Sequence, residues 1–518
     1  MMEWRMFLMV LPSVGVGLVT ASADGIPQRY RKVIARQLER IERGVKEGPY
    51  RPDWEDLKRH QEAPEWFRDA KFGIYFHWGV YTVPAYGNEW YPKWMHVKPG
   101  GEQRSYYEYH VTHYGEPSEF GYHDFVPMFK AEHFDAEEWA DLFVQAGARF
   151  AGPVAEHHDG FAMWASELTP WNVGSKGPRR DTTGELERAI RQRGLKFITT
   201  FHHERTRTWY PRVPGWPTTS TDPELRMLYA NLSEELFNQI FLAKLGEVID
   251  QYRPDLIWFD GRLEEIQEPY HLRFLAYYFN SAAKWGREVV VTTKGHDYPP
   301  EIAVEDIERG RLNHLADFPW LTDDSIARGS WCYTQNLRLR TTQEIVHELI
   351  DIVSKNGCLL FNIAPRSDGV IPQEQREILL GIGKWLRVNG EALYATRPWL
   401  AFGEGPQRVV GKGRTLRDVA YTWQDVRYTR SKDGKTVYAI VLGWPQAKEI
   451  TLTATRVEAE TNSCVTLLGY EGAIRYRLNG ERQLVIEIPP LAEGQLPCKY
   501  AYAFKLAGFR LALHPSAR

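Results

Sequence analysis

Between residues 66 and 399 short apolar runs alternate with amphipathic stretches, the pattern of successive β/α units in a parallel sheet. Eight of the runs have strand length: 72–77, 149–156, 196–201, 255–260, 288–293, 302–307, 330–333 and 358–363. Helical periodicity separates several of them, at 136–146, 183–193, 234–251, 272–285 and 341–355. A further amphipathic stretch at 374–389 follows the eighth run and would close a ring. Eight strands in about 330 residues predict an α/β fold, a (β/α)8 TIM-like barrel spanning 64–399. The stretches between the fifth and seventh runs make poor helices, so the barrel is expected to be irregular there.

Beyond Arg397-Pro398 the pattern changes to β-rich runs at 436–442, 448–454, 464–468 and 483–488. Lys432-Asp433-Gly434-Lys435 and Asn479-Gly480 supply hairpin turns between them. Residues 400–518 are therefore expected to form an antiparallel β-sandwich domain. Ahead of the barrel, 24–63 is a lead-in whose stretch 28–47 is charged and helical in pattern. Residues 1–23 have the form of a signal peptide: Arg5, an apolar run at 6–19, then Ala21-Ser22-Ala23 before the cleavage point. That predicts export to a periplasmic, lysosomal-type or extracellular location. The run is short for a membrane anchor, and no membrane span is expected in the mature chain.

Composition narrows the classes. Hydrophobic residues are 43% and charged residues 25%, so a folded chain is expected rather than a disordered one. The net charge of −3 offers no footprint for nucleic acid. Cys332 and Cys358 lie in apolar runs and are expected as buried thiols, whereas Cys464 and Cys498 are candidates to pair. No cysteine spacing suits a metal. The 19 Trp and 27 Tyr fit either a large core or a site whose flat rings stack on sugars.

Barrel enzymes carry their chemistry at the C-terminal ends of the strands. The first run ends in His77-Trp78-Gly79 and leads to Gly87-Asn88-Glu89-Trp90-Tyr91; the second ends in Glu156-His157-His158-Asp159. The third ends in Phe201-His202-His203-Glu204, and the fourth in Trp258-Phe259-Asp260-Gly261. Asp260 closes an apolar run, where a carboxylate meets the barrel mouth; it suits a glycosidase nucleophile, or equally a helix cap. Glu308 and Glu305, near the end of the sixth run, are the candidates for an acid/base, Glu308 being the nearer to a loop-like exit; a surface ion pair is the alternative for each. His157, His158 and Asp159 could bind a metal, but neutral imidazoles also suit sugar hydroxyls. His77, Glu89 and Trp90 read likewise as donor, acceptor and stacking wall.

In these stretches the chain resembles glycoside hydrolase family 29, the retaining α-L-fucosidases. The resemblance rests on an ordered set: Trp66-Phe67-Arg68-Asp69-Ala70-Lys71-Phe72-Gly73-Ile74, His77-Trp78-Gly79, Gly87-Asn88-Glu89-Trp90-Tyr91 and Glu156-His157-His158-Asp159-Gly160-Phe161. Thr169-Pro170-Trp171-Asn172, Pro254-Asp255-Leu256-Ile257-Trp258-Phe259-Asp260-Gly261 and Asn362-Ile363-Ala364-Pro365-Arg366-Ser367-Asp368-Gly369 continue it. It implies exo-hydrolysis of terminal α-L-fucose from glycans, polysaccharides or fucosides, with net retention and no cofactor or metal. By motif position it implies Asp260 as nucleophile, His77, Glu89, Trp90, His157 and His158 around the fucose, and Trp258 beside the nucleophile. The run Thr199-Thr200-Phe201-His202-His203 departs from the family's more usual Tyr-Tyr-Ser, so His202 or Phe201 is expected in place of a tyrosine contact. The acid/base position varies between subgroups, and Glu308 is assigned from strand order and its Ile307-Glu308-Arg309-Gly310 context.

An apolar lining from Trp78, Phe161 or Phe201 is expected to accept the fucose methyl. The aromatic stretch 106–109 and the insert 209–223 are candidates to shape the leaving-group side. Three other readings remain: a fucose-binding protein without catalysis, a metal-dependent hydrolase, and a glycosidase of altered specificity.

Overall fold

The computed structural model describes residues 25–97, 104–295, 297–407 and 419–515. The stretch 1–23, read above as a signal peptide, lies outside the described residues. Eight parallel strands close into a barrel: β1 (Phe72–Phe76), β2 (Phe150–Glu156), β3 (Lys196–Phe201), β4 (Leu256–Phe259), β5 (Val290–Lys294), β6 (Val304–Asp306), β7 (Trp320–Ser325) and β10 (Gly357–Ile363). A short hairpin, β8 (Ala327–Arg328) with β9 (Arg338–Leu339), interrupts the connection between the last two. Helices cover the barrel where the periodicity placed them, at Ala136–Ala146, Thr182–Gln192, Glu234–Tyr252, Glu268–Trp285, Thr342–Ser354 and Gln373–Asn389. Their starts are capped as their sequences allow. Asp135 and Ser233 accept from first-turn amides, and Thr341 with Glu344 forms a capping box. Among the described residues no helix stands between β5 and β7, the irregularity expected there.

Strand pleating divides the side chains into two cores. Tyr75, Val154, Ile198, Leu256, Trp258, Val290 and Leu360 face one another inside the barrel. Their neighbours, such as Phe76, Phe201 and Phe259, pack outward against the helices. This phase determines which strand-end residues can reach the mouth.

The seventh strand is Trp320–Ser325, not 330–333. Asp323 and Asp324 break the apolar run, which hid the strand. Asp323 turns inward and accepts from Tyr75 Oη at 2.9 Å, while Asp324 is paired with Arg340 at 2.8 Å. The stretch 330–333 is connection; its Cys332 makes only an isolated bridge beside His77. The aromatic stretch 106–109 is part of the Arg104–Tyr114 helix.

The Gln28–Glu47 helix packs on the Glu234–Tyr252 and Glu268–Trp285 helices. No described helix is long and apolar enough to cross a membrane. After the barrel, a five-stranded antiparallel sheet is ordered β11 (Thr396–Glu404), β12 (Val426–Ser431), β13 (Thr436–Val441), β18 (Tyr502–Leu513) and β15 (Thr455–Leu467). A second sheet is ordered β14 (Glu449–Leu452), β17 (Leu484–Glu487) and β16 (Tyr476–Leu478). Tyr428, Leu452, Leu467, Ile486 and Phe504 close the core between the sheets, so this part is a β-sandwich. Both turns named above join antiparallel neighbours. All four cysteines are free thiols, which corrects the expected Cys464–Cys498 pair. Cys464 is exposed on β15, whereas Cys498 donates to Ala501 O and takes a hydrogen bond from Asn389 Nδ2.

Candidate active site

Six consecutive strands, β1 to β6, bring polar side chains to the barrel mouth. A bulge at the end of β2 matters first. Val154 pairs with Thr200, but Glu156, not Ala155, pairs with Phe201. The extra residue turns Glu156 outward to Lys244, 2.6 Å away, and puts His157 in the inward phase with His202. His77 follows β1, and its backbone N donates to Asn362 Oδ1 at 3.0 Å. Its Nδ1 lies 2.8 Å from the same oxygen and donates to it, so Nε2 is left as an acceptor.

Asp260 follows β4 in the inward phase of Trp258. Its carboxylate is held by Lys294 Nζ in a short ion pair, by His158 Nε2 at 3.2 Å and by His202 Nδ1 at 3.4 Å. Burial pushes this carboxyl up, but Lys294, His202 and His158 outweigh it and hold it well below the ordinary carboxylate range. The imidazoles go the other way. Burial lowers His77, His157 and His158, and brings His202 down to about 4. Neutral rings crowd the pocket: the centroids of His157 and His202 are 4.5 Å apart, and those of His77 and His202 5.3 Å. Among the described residues His157 Nδ1 and His202 Nε2 are buried without a hydrogen-bond partner.

The walls are aromatic. Trp258 lies under Lys294, whose Nζ is 4.8 Å from its ring. Trp90 meets His158 and Trp209 edge-on, each at 5.8 Å. Glu89 is buried; its Oε2 accepts from Trp331 N at 2.9 Å, and burial raises its carboxyl. Trp331 itself stacks on His77 at 5.5 Å and is backed by the Arg309 guanidinium at 4.0 Å.

Across the mouth, Glu308 Oε2 lies 3.2 Å from Lys294 Nζ. Glu305 pairs in register with Thr293, in the outward phase of β5, and so points away from the pocket. Lys294 and Asp306 are register mates, and Asp260 follows Phe259, the mate of Thr293, which sets it opposite Lys294. The stagger that closes a barrel lifts each successive strand, so Glu308, two residues beyond Asp306, stands level with Asp260. Asp306 lies one layer lower, where its Oδ1 accepts from Asp323 N at 2.9 Å. Burial, then the Asp323 carboxyl, pushes Asp306 well above the ordinary carboxylate range.

The structure thus brings His77, Glu89, Trp90, His157, His158, His202, Trp258, Asp260 and Glu308 to one mouth. It does not bring Trp78 or Phe201 there. Trp78 donates to Arg366 O and packs on Phe134 and Trp139, and Phe201 packs on Trp164 and Phe259. Phe161 also belongs to the outer core. Asp159 leaves the mouth as well, accepting from Tyr122 Oη at 2.6 Å, so His157, His158 and Asp159 do not converge. The donor sets that do converge are His77, His157 and His202, and His158, His202 and Asp260, each with ligand atoms within 4.8 Å. Sequence reasoning missed Lys294 and Trp331. Lys294 had a signal: it closes the fifth apolar run as Asp260 closes the fourth.

Two family models match the chain: "Alpha-L-fucosidase" over residues 38–391 and "Alpha-L-fucosidase C-terminal domain" over 420–507. The tissue alpha-L-fucosidase of Rattus norvegicus is 33% identical over 483 residues, covering 88% of this chain and 92% of the relative. The crystal structure of Thermotoga maritima alpha-fucosidase in complex with fucose superposes with a TM-score of 0.70 at 29% identity, covering 88% of this chain and 99% of the other. The same enzyme in complex with a mechanism-based inhibitor gives 0.71 at 29% identity, over 88% and 100%.

Proposed function

The chain belongs to the α-L-fucosidase family, glycoside hydrolase family 29, and from this premise we propose that it cleaves terminal α-L-fucose by double displacement on Asp260. One observation carries the reading: an ionised Asp260 shares the Lys294 ammonium with Glu308. Two carboxyl groups on one ammonium lie within about 6 Å of each other, compatible with the spacing of about 5–5.5 Å in retaining glycosidases.

Fucose enters with its hydroxyls on His77, Glu89, Trp90, His157, His158 and His202; the unpartnered His157 Nδ1 and His202 Nε2 are free to donate or accept. Trp258 forms the floor. Asp260 attacks the anomeric carbon as the glycosidic bond breaks, and Glu308 gives its proton to the leaving oxygen. The intermediate is a fucosyl ester of Asp260. Esterification removes the charge that Lys294 had paired, just as Glu308 becomes a carboxylate 3.2 Å away; Lys294 therefore changes partner without moving far. Glu308 then takes a proton from water, the water oxygen bonds to the anomeric carbon, and Asp260 leaves. Two inversions return the α configuration.

A second reading has Asp306 as the acid/base, favoured by one observation: burial and Asp323 push its carboxyl well above the ordinary range, the direction a general acid requires. Its place one layer below Asp260 favours Glu308. The substrate is a fucosylated glycan or polysaccharide. The same reading includes export, for which the leader-like pattern of residues 1–23 is the support.

Release of the chromophore from an aryl α-L-fucoside tests the reading. Turnover by the wild type with a loss of about a thousandfold or more in Asp260→Asn is expected. Undiminished turnover by Asp260→Asn would sink the assignment. Azide should restore activity to Glu308→Gln, giving fucosyl azide; rescue of Asp306→Asn instead would select the second reading.

A further inference from the structure

Among the described residues, two cations beside the sugar pocket stand outside any ion pair. Lys93, in the short Tyr91–Trp94 helix, holds its Nζ 5.1 Å from the Trp90 ring and 5.0 Å from Trp94. Arg205, in the turn after β3, holds its guanidinium 5.5 Å from the same Trp90 ring. Among the described residues neither forms an ion pair, and Arg205 Nε is buried without a hydrogen-bond partner. Burial and the nearby Arg205 charge both lower the Lys93 pKa. Glu265 is the one acid acting the other way, and it is engaged by Thr208 Oγ1.

Each cation is attracted to the indole, but the two repel each other, and an anion between them would relieve that repulsion. The arrangement also lies next to the reacting atoms. Trp90 meets His158 edge-on, the Arg205 charge acts on His158, and His158 touches Asp260. We propose that Lys93 and Arg205 form an anion subsite at the edge of the fucose pocket, which takes a sulfate ester or carboxylate borne by the saccharide substrate. This rests on the pocket holding fucose. An Arg fork and a Lys point charge together match the several oxygens of such a group. The anion comes from one of two places: the fucosyl ring itself, or the residue next to it.

Calorimetric binding and hydrolysis separate these sources. One arm compares L-fucose with its monosulfates, and an aryl fucoside with the same fucoside sulfated on the fucosyl ring. The other compares fucose linked to a neutral sugar with fucose linked to a uronate. In one arm the anionic ligand should be favoured by about tenfold or more, and high salt should erase the preference. In Lys93→Gln/Arg205→Gln the anionic-to-neutral ratio should fall to near one, with the neutral ligand reporting that the pocket is intact. Equal handling of charged and neutral ligands in both arms, or a preference that survives in the double variant, overturns the proposal and leaves the cations as packing on Trp90. If neutral fucosides neither bind nor react, it is the fucose reading that fails; sulfate-dependent binding lost in the double variant would still support the subsite.

Discussion

Asp260 is a buried acid that stays ionised, and the side chains responsible for that are separable. Burial alone would raise its carboxyl; Lys294 is the strongest opposing influence. Because the folded value is depressed, the ionised form, and the stability it contributes, is present above the unfolded value of about 3.9 and lost only as pH falls below it. The acid limb of kcat/KM in the wild type is therefore not set by Asp260. In Lys294→Met burial is opposed only by His158 and His202, so the carboxyl rises and the acid limb moves to higher pH. A pH–rate profile on an aryl fucoside reads this, with kcat/KM at the optimum lower by roughly a hundredfold. An acid limb that does not move would mean that Lys294 is not what keeps the nucleophile charged. At this scale the sequence was half legible. Asp260 stood out because a charge ends an apolar run. Lys294 does the same, but a lysine after two threonines looks like the start of a loop. Glu305 and Glu308 differ by three residues, hence by phase on a strand, and only the register separates the inward one from the outward one.

At the scale of elements, alternation predicted strands wherever both faces of a strand are apolar, and failed where the inward face carries charge. β7 alternates apolar residues with Asp323, which serves the polar layer beneath the pocket, so its run appeared too weak to be a strand. The bulge in β2 was invisible for another reason: an extra residue changes the pairing, not the composition. That strand has little tolerance. A Cβ on Gly152 would lie 1.7 Å from Ile198 O, backbone of the adjacent β3. Gly152→Ala must push the strands apart just before the turn that aims His157. A loss of about 2–4 kcal/mol in urea or thermal unfolding is expected, with hydrolysis falling as well. Normal stability in that variant would show that β2 and β3 can separate without cost to the barrel.

Across the whole molecule the β-sandwich is joined to the barrel through buried charge, which hydropathy could not reveal because the same residues on a helix read as a solvated face. Asp351, on the Thr342–Ser354 helix, receives Arg427 of β12 at 2.6 Å and Lys355 at 2.7 Å. Arg340 extends the network to Glu348 at 2.6 Å and to Asp324 of β7 at 2.8 Å, and all these side chains are at most 2% exposed. Trp385 and His347 add contacts to the carbonyls of Ala501 and Tyr500. The sandwich therefore bears on the strand that carries Asp323, beneath Lys294. Breaking a buried pair costs more than forming it gains, because the partner is left charged and dry. Arg427→Ala should lower stability by about 3–5 kcal/mol, seen as an earlier melting transition. Burial pushes Asp351 up, but Lys355, Arg427 and Arg311 hold it well below its ordinary range. Its contribution is thus complete above the unfolded value of about 3.9 and is lost as pH falls. Without Arg427 the carboxyl rises and takes a proton sooner, so the gap between wild type and variant should be widest near neutral pH and narrow on acidification. A gap independent of pH would mean that Arg427 acts through its packing on Tyr421 and Phe402 rather than through charge.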